Sequence, residues 1–333
     1  MNKNFLKTHT FAYRNVVSWV LGLAIAIYLI STVNVGILKL AFKEAALIHY
    51  FVYSAIFVLF WYVYESQNLF LFIRYYGYKA KFNQILILRA STYLLMLINY
   101  HLSTGGILIS LNVKHGIPLK ESTGLTLLYT TTDNLCLSIL TFCATVFAAS
   151  YIPRNFVIPL LAVSLVTIII ILVIFAGFRS THIFRLKWLN GIYQIINEEL
   201  LKISTFSYLK IFILRSIYFL TFSIFIYISV PLFGFEIPFI AVLALLPPIF
   251  FIGNLPITPA GIGTIQAAML FFFAPFGETH RILLFSLIYS TSLILYRLFI
   301  GLSSLFFLDN KKLYFETLDN FKNYNNLKKH KIT

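Results

Sequence analysis

Apolar residues in this chain fall in long unbroken runs, unlike the one-sided or alternating patterns of a water-soluble fold. Six runs, over residues 16–37, 47–64, 125–150, 156–178, 211–233 and 282–308, suit membrane-crossing helices, which need about 20 residues each. Two further apolar regions, 85–113 and 237–276, are broken in the middle. The breaks are His101-Leu102-Ser103-Thr104-Gly105-Gly106 and Pro256-Ile257-Thr258-Pro259-Ala260-Gly261-Ile262-Gly263. The pattern predicts an all-α integral membrane protein with about six full spans and two re-entrant helical hairpins. One polytopic domain covers 1–310, and a basic tail covers 311–333.

Charge decides between hairpins and ordinary spans, because Lys and Arg gather on the cytoplasmic side of a membrane protein. With both broken regions returning to the side they entered from, nineteen basic residues share one side. Only Lys39, Lys43, Arg154 and Arg281 fall on the other. Any other assignment of the two regions splits the basic loops between the sides. Both termini are therefore expected in the cytoplasm. Lys3, Lys7 and Arg14 precede the first run as in a signal peptide. No small-x-small cleavage site follows, which predicts a retained first span. The stretch 179–210 mixes apolar and basic residues and predicts an interfacial amphipathic helix. The lysine-rich tail is expected to be drawn to anionic lipid.

The two breaks resemble each other. Residues 99–107 align without gaps to 254–262, with Asn99 and Asn254, Gly106 and Gly261, and Ile107 and Ile262 identical. Each half, about 1–155 and 156–310, reads as span, span, hairpin, span, and the halves start on opposite sides. This order predicts an inverted repeat with broken helices near the midplane, as in many secondary transporters. The competing reading is that small residues and prolines merely kink two packed helices.

Composition agrees with the membrane reading and removes other classes. Hydrophobic residues make up 59% of the chain and charged residues 11%, against about 25% charged in soluble proteins. The net charge of +15 is spread through loops and tails where it sets topology, so no nucleic-acid partner is expected. Cys136 and Cys143 are seven residues apart on one predicted helix, about 10 Å and too far for a disulfide. No metal site, cofactor or Walker motif is expected. Sequence patterns for covalent or metal-dependent catalysis are missing, so an enzyme is the less favoured reading.

Candidate chemistry centres on the breaks. The segments after them, 107–114 and 264–273, have the length of half-membrane helices whose N-termini would meet near the midplane. Such termini present free N–H groups and a positive dipole end, which bind phosphate. The bland alternative is that Ser103, Thr104, Thr258 and Thr264 only cap those helices. Charges inside the apolar runs are costly and mark function by default. They are Arg89, Asp133 and Arg297, of which the arginines suit a lipid phosphate and Asp133 an amine or one of the arginines. Arg215 lies near a span end and is expected to snorkel to the interface. His101 in the first break is a further candidate for titration.

The stretch 254–268, from Asn254-Leu255-Pro256 through Pro259-Ala260-Gly261-Ile262-Gly263 to Gln266-Ala267-Ala268, resembles the P-x-x-P-G-G-x-G-x-x-E-A motif of the lysylphosphatidylglycerol synthase transmembrane-region family. Residues 105–133, from Gly105-Gly106 through Gly116-Ile117-Pro118 to Asp133, are similar to that family's first half. The resemblance covers about residues 10–310. It implies a flippase-like protein handling anionic or aminoacylated phospholipids in a bacterial inner membrane, alone, as a homo-oligomer or with a membrane partner. With the charges and breaks above, the expected binding site comprises Arg89, Asn99, Ser103, Thr104, Gly105, Gly106, Asp133, Asn254, Pro256, Thr258, Pro259, Gly261, Gly263, Thr264, Gln266 and Arg297. Ala260 replaces the first glycine of the motif, Gln266 its glutamate, and Thr131-Thr132 precede Asp133 where the family often has Glu-Arg. These departures weigh against a lysyl head group. A second class of function, an integral membrane enzyme or accessory subunit acting on lipid-linked or polyprenyl-linked envelope substrates, is kept beside the first.

Overall fold

The computed structural model describes residues 27–28, 31, 35–98, 100–179, 205–253, 258 and 261–307. The expected first span (16–37) falls largely outside the described residues, and so do the amphipathic stretch 179–210 and the tail. The described chain is helical, with ten α-helices: α1 (Val35–Glu44), α2 (Leu47–Tyr75), α3 (Phe82–Ile98), α4 (Tyr100–His115), α5 (Leu119–Phe147), α6 (Arg154–Arg179), α7 (Thr205–Ser229), α8 (Phe239–Gly253), α9 (Thr264–Phe273) and α10 (Thr279–Phe307). Helices α2, α6, α7 and α10 contain segments long and apolar enough to cross a bilayer. With exposed Leu, Ile, Val and Phe along their outer faces, they make this a multi-pass integral membrane protein. Helix α5 matches α2 in length, at 29 residues, but carries hydroxyls and Asp133 inward.

The two broken regions are helix pairs that fold back on themselves. In the first, a Cβ at Gly106 of α4 would lie 2.5 Å from Leu95 Cδ1 and 3.3 Å from Thr92 Cγ2 of α3. Contacts of Gly106 with Leu95 and Thr92, across the junction of the two helices, mean that α3 and α4 run antiparallel. In the second, Gly253 at the end of α8 faces Ile265 in the first turn of α9. Tyr76, Ile85, Ile117 and Ile211 share one apolar cluster, so the open end of the first hairpin lies beside the starts of α5 and α7. Phe235, Ile237, Phe273 and Ile282 share another, at the far end of α7, where the second hairpin opens. The hairpins thus enter the bundle from opposite ends.

The first break differs from its expected place. Residues 101–106 are helical and the turn comes before them, so Ser103, Thr104, Gly105 and Gly106 belong to α4. Gly105-Gly106 reads as irregular backbone in the sequence, yet Gly106 serves close approach between the hairpin's arms. The same device joins α3 to α10, where a Cβ at Gly301 would lie 2.6 Å from Leu94 Cδ2 and 3.4 Å from the Ala90 carbonyl oxygen. Small residues let membrane helices approach where apolar burial alone gives no driving force. Gly301→Leu is expected to cost about 1–3 kcal/mol through overpacking, measurable as a lower unfolding midpoint in detergent.

Helices α2 and α10 run parallel, joined by Tyr50 Oη to Ser292 Oγ at 2.9 Å and Ser54 Oγ to Tyr296 Oη at 3.0 Å. At the end where the second hairpin opens, Arg281 donates to Glu44 at 3.1 Å and to the Gly234 carbonyl at 3.0 Å. The Ala46 N–H donates to the Leu232 carbonyl at 2.9 Å. These contacts tie the starts of α2 and α10 to the loop after α7.

Candidate functional site

Two large apolar clusters fill the bundle interior, and a layer of charge lies between them. Along α2, Trp61 belongs to one cluster and Leu69 to the other, with Glu65 between. Along α7, Ile211 and Phe222 belong to the two clusters, with Arg215 between. Arg89 follows Leu88 on α3, Asp133 lies one turn past Tyr129 on α5, and Arg297 one turn past Leu293 on α10. Counted along their helices, Arg89 and Arg215 lie about 10 and 15 Å from the nearer helix ends, and Asp133 about 20 Å. Apolar side chains cap the layer on both sides.

Within it, Glu65 accepts from both Arg89 Nη2 and Tyr93 Oη, the latter at 2.7 Å. Arg89 also lies over the Tyr93 ring, 5.5 Å from its centre. The 89/93 spacing puts both donors on one face of α3. Across the bundle, Arg215 Nε is 2.7 Å from Asp133 Oδ1, and its guanidinium lies 4.1 Å from the Tyr129 ring centre. Arg297 stands over Trp61 at 4.9 Å and forms no ion pair among the described residues. A buried pair stabilises only when its remaining hydrogen bonds are met. The Glu65 pair meets that condition better than the Asp133 pair: among the described residues Arg89 Nε lacks a hydrogen-bond partner in the first, against Arg215 Nε, Arg215 Nη2 and Asp133 Oδ1 in the second.

Three of the sequence candidates, Arg89, Asp133 and Arg297, are therefore brought into one layer. Arg215 is a correction: with 2% of its surface exposed, it does not reach the interface. Its inward face meets α5, and Asp133 takes it up. Glu65 was absent from the candidates because the polar run Glu65-Ser66-Gln67-Asn68 looks like a span end. The apolar stretch Leu69–Ile73 that follows was the available signal, and α2 continues through it to Tyr75. The basic residues offered another: the expected topology assigns nineteen and four of the 26 to the two faces, which leaves Arg89, Arg215 and Arg297 for the interior.

The second hairpin supplies a polar turn. Gly261 and Gly263 have φ of 72° and 86°, a left-handed conformation that glycine adopts without strain. Thr258 Oγ1 is 3.1 Å from Thr264 Oγ1, which donates to the Gly261 carbonyl at 3.1 Å. Gln266 turns back, and its Oε1 accepts from the Gly263 N–H at 2.6 Å, closing the first turn of α9. Gln266 thus has the capping role, whereas Thr264, the first residue of α9, ties the turn together through its hydroxyl instead of capping the helix. One turn before the end of α8, Phe250 packs edge-on against Phe222, 5.2 Å between ring centres. Phe222 packs in turn on Trp61 at 4.8 Å, so aromatic contacts link the hairpin to the ring beneath Arg297. Ser103 is buried in the first turns of α4. Asn99, Asn254, Pro256 and Pro259 lie outside the described residues, as does the side chain of His101.

No cluster of His, Cys, Asp and Glu fit to hold a metal occurs among the described residues. Cys136 is 3.3 Å from Ser216 Oγ, an interhelical packing contact. No individually curated protein matches the chain. The family described as "Lysylphosphatidylglycerol synthase TM region" matches residues 16–301, a stretch that takes in both hairpins and all five charges of the layer. The chain belongs to that family of integral membrane proteins, which is linked to the handling of lysylphosphatidylglycerol and related lipids.

Proposed function

We propose that this protein binds the phosphate-bearing head group of a phospholipid at the ionic layer and moves it across a bacterial inner membrane, acting as a transporter and not as an enzyme. The observation that supports this is the imbalance of charge within the layer, where Arg297 and Asp133 are half-buried and the others buried. Arg89, Arg215 and Arg297 stand against Glu65 and Asp133 alone, and an uncompensated cation inside a membrane is costly enough to mark function. A phosphate brought to the layer balances it through the charge-assisted hydrogen bonds arginine forms well. The hairpins approach this depth from opposite ends, which gives a head group a route from either face. In this reading both termini are cytoplasmic and the halves form an inverted repeat.

The test is translocation of a fluorescent phosphatidylglycerol by the full chain in proteoliposomes. Arg297→Gln removes the charge from a residue with no ion-pair partner among the described residues. It is expected to slow translocation about tenfold or more, given that hydrogen bonds to charged groups contribute about 1.5–3 kcal/mol. An unchanged rate in protein that still inserts overturns the assignment.

The opposed hairpins predict a second outcome. With Cys136 and Cys143 replaced by serine, Leu102→Cys and Ile257→Cys are expected to react with a membrane-impermeant thiol reagent from opposite faces. Labelling of both from one face only contradicts the inverted arrangement.

A further inference from the structure

The atoms of the layer carry more information than its net charge. Trp61 Nε1, Arg89 Nε, Arg215 Nη2 and Arg297 Nε are buried and lack hydrogen-bond partners. All four are donors, since neither indole nor guanidinium has an acceptor. Trp61, Arg89 and Arg215 are themselves more than nine-tenths buried. Of the layer's fully buried carboxylate oxygens, only Asp133 Oδ1 lacks a hydrogen bond among the described residues, and it faces Arg215 Nε at 2.7 Å. Beside these, only the Tyr129 hydroxyl, which can donate or accept, and that Asp133 oxygen are unmet, so the layer holds more unmet donors than acceptors and one positive charge in excess.

The hairpins do not reverse this balance. No Asp or Glu occurs anywhere in 82–115 or 239–276. The one long side chain with an acceptor at the described turn of the second hairpin, Gln266, is already engaged by the Gly263 N–H. An ammonium group brings only donors and a further positive charge, so it would meet the same surplus it adds to. A phosphate diester brings acceptors and one negative charge. Resting on the head-group reading above, we infer that the lipid handled here carries an amine-free phosphate ester, and that a lipid whose head group bears an ammonium, aminoacylated phosphatidylglycerol included, is discriminated against.

Binding to the purified full chain in nanodiscs tests this, with fluorescent phosphatidylglycerol as the probe. Its competitors are unlabelled phosphatidylglycerol, lysylphosphatidylglycerol, phosphatidylcholine and inorganic phosphate. Phosphatidylglycerol is expected to compete at least tenfold better than either ammonium-bearing lipid, and Arg297→Gln to narrow that gap. Gln266→Glu keeps an acceptor for the Gly263 N–H while adding negative charge, and is expected to shift preference toward lysylphosphatidylglycerol severalfold. Competition by inorganic phosphate at the same concentration as the lipid would make a free anion the ligand and overturn the lipid assignment. Equal or tighter binding of lysylphosphatidylglycerol overturns the selectivity while leaving head-group binding intact. Failure of every lipid to bind overturns the head-group reading itself.

Discussion

Replacing Glu65 by alanine is expected to destabilise the protein by about 3–5 kcal/mol, the usual consequence of leaving a buried charge without its partner. Arg89 is 6% exposed and Glu65 its sole ion-pair partner among the described residues. Tyr93 loses its acceptor in the same step. Unfolding in mixed detergent micelles measures the loss. The double variant Glu65→Leu with Arg89→Leu is expected to recover most of it, because a well-packed apolar pair often matches a buried ion pair in stability. If the double variant is as unstable as the single one, Arg89 has a further buried acceptor and the proposed pairing is incomplete.

The second large effect separates stability from function at the other pair. Asp133→Leu with Arg215→Leu removes one charge of each sign, so the layer keeps its excess of one cation. Stability is expected to change by less than about 1–2 kcal/mol by the same reasoning. Translocation of phosphatidylglycerol is nevertheless expected to fall about 100-fold, since a guanidinium hydrogen bond to phosphate lies at the upper end of about 1.5–3 kcal/mol. A stable double variant that transports at the parent rate would make the Asp133–Arg215 pair structural and confine the phosphate to Arg297. Both variants need the full chain in lipid, because the layer is assembled from five helices.

Much of the fold was legible because hydropathy reports directly on the solvent each residue meets. The long helices and both folded-back regions follow from apolar length and the distribution of basic residues. What the sequence concealed was tertiary. Arg215 lies ten residues from the start of α7, a position from which a guanidinium can reach water; only its packing against α5 turns it inward. Glu65 begins a polar tetrad that resembles an interfacial boundary, and its burial depends on α3 covering that face. Glycine was the other ambiguity. Gly261 and Gly263 mark a true turn, whereas Gly105-Gly106, aligned with Ala260-Gly261, lies within a helix. A residue without a side chain serves equally as a bend or as a place for a neighbour, and one sequence does not distinguish them. At the site, Arg89, Asp133 and Arg297 were recognisable as costly charges, but the aromatic perches of Arg89 on Tyr93, Arg215 on Tyr129 and Arg297 on Trp61 were not, since they join residues on different helices or pick out two of 21 tyrosines.

The placement of the ionic layer between two apolar clusters has a mechanical consequence. Interlocked apolar side chains resist sliding, because each displacement opens a void. Arginine stems are long, and a guanidinium can exchange one acceptor for another while its helix moves. Helices α2 and α7 run unbroken through both greasy blocks, so an arriving anion is met at this seam by guanidinium groups exchanging partners and not by blocks sliding past each other. Motion and recognition would then share the same few atoms.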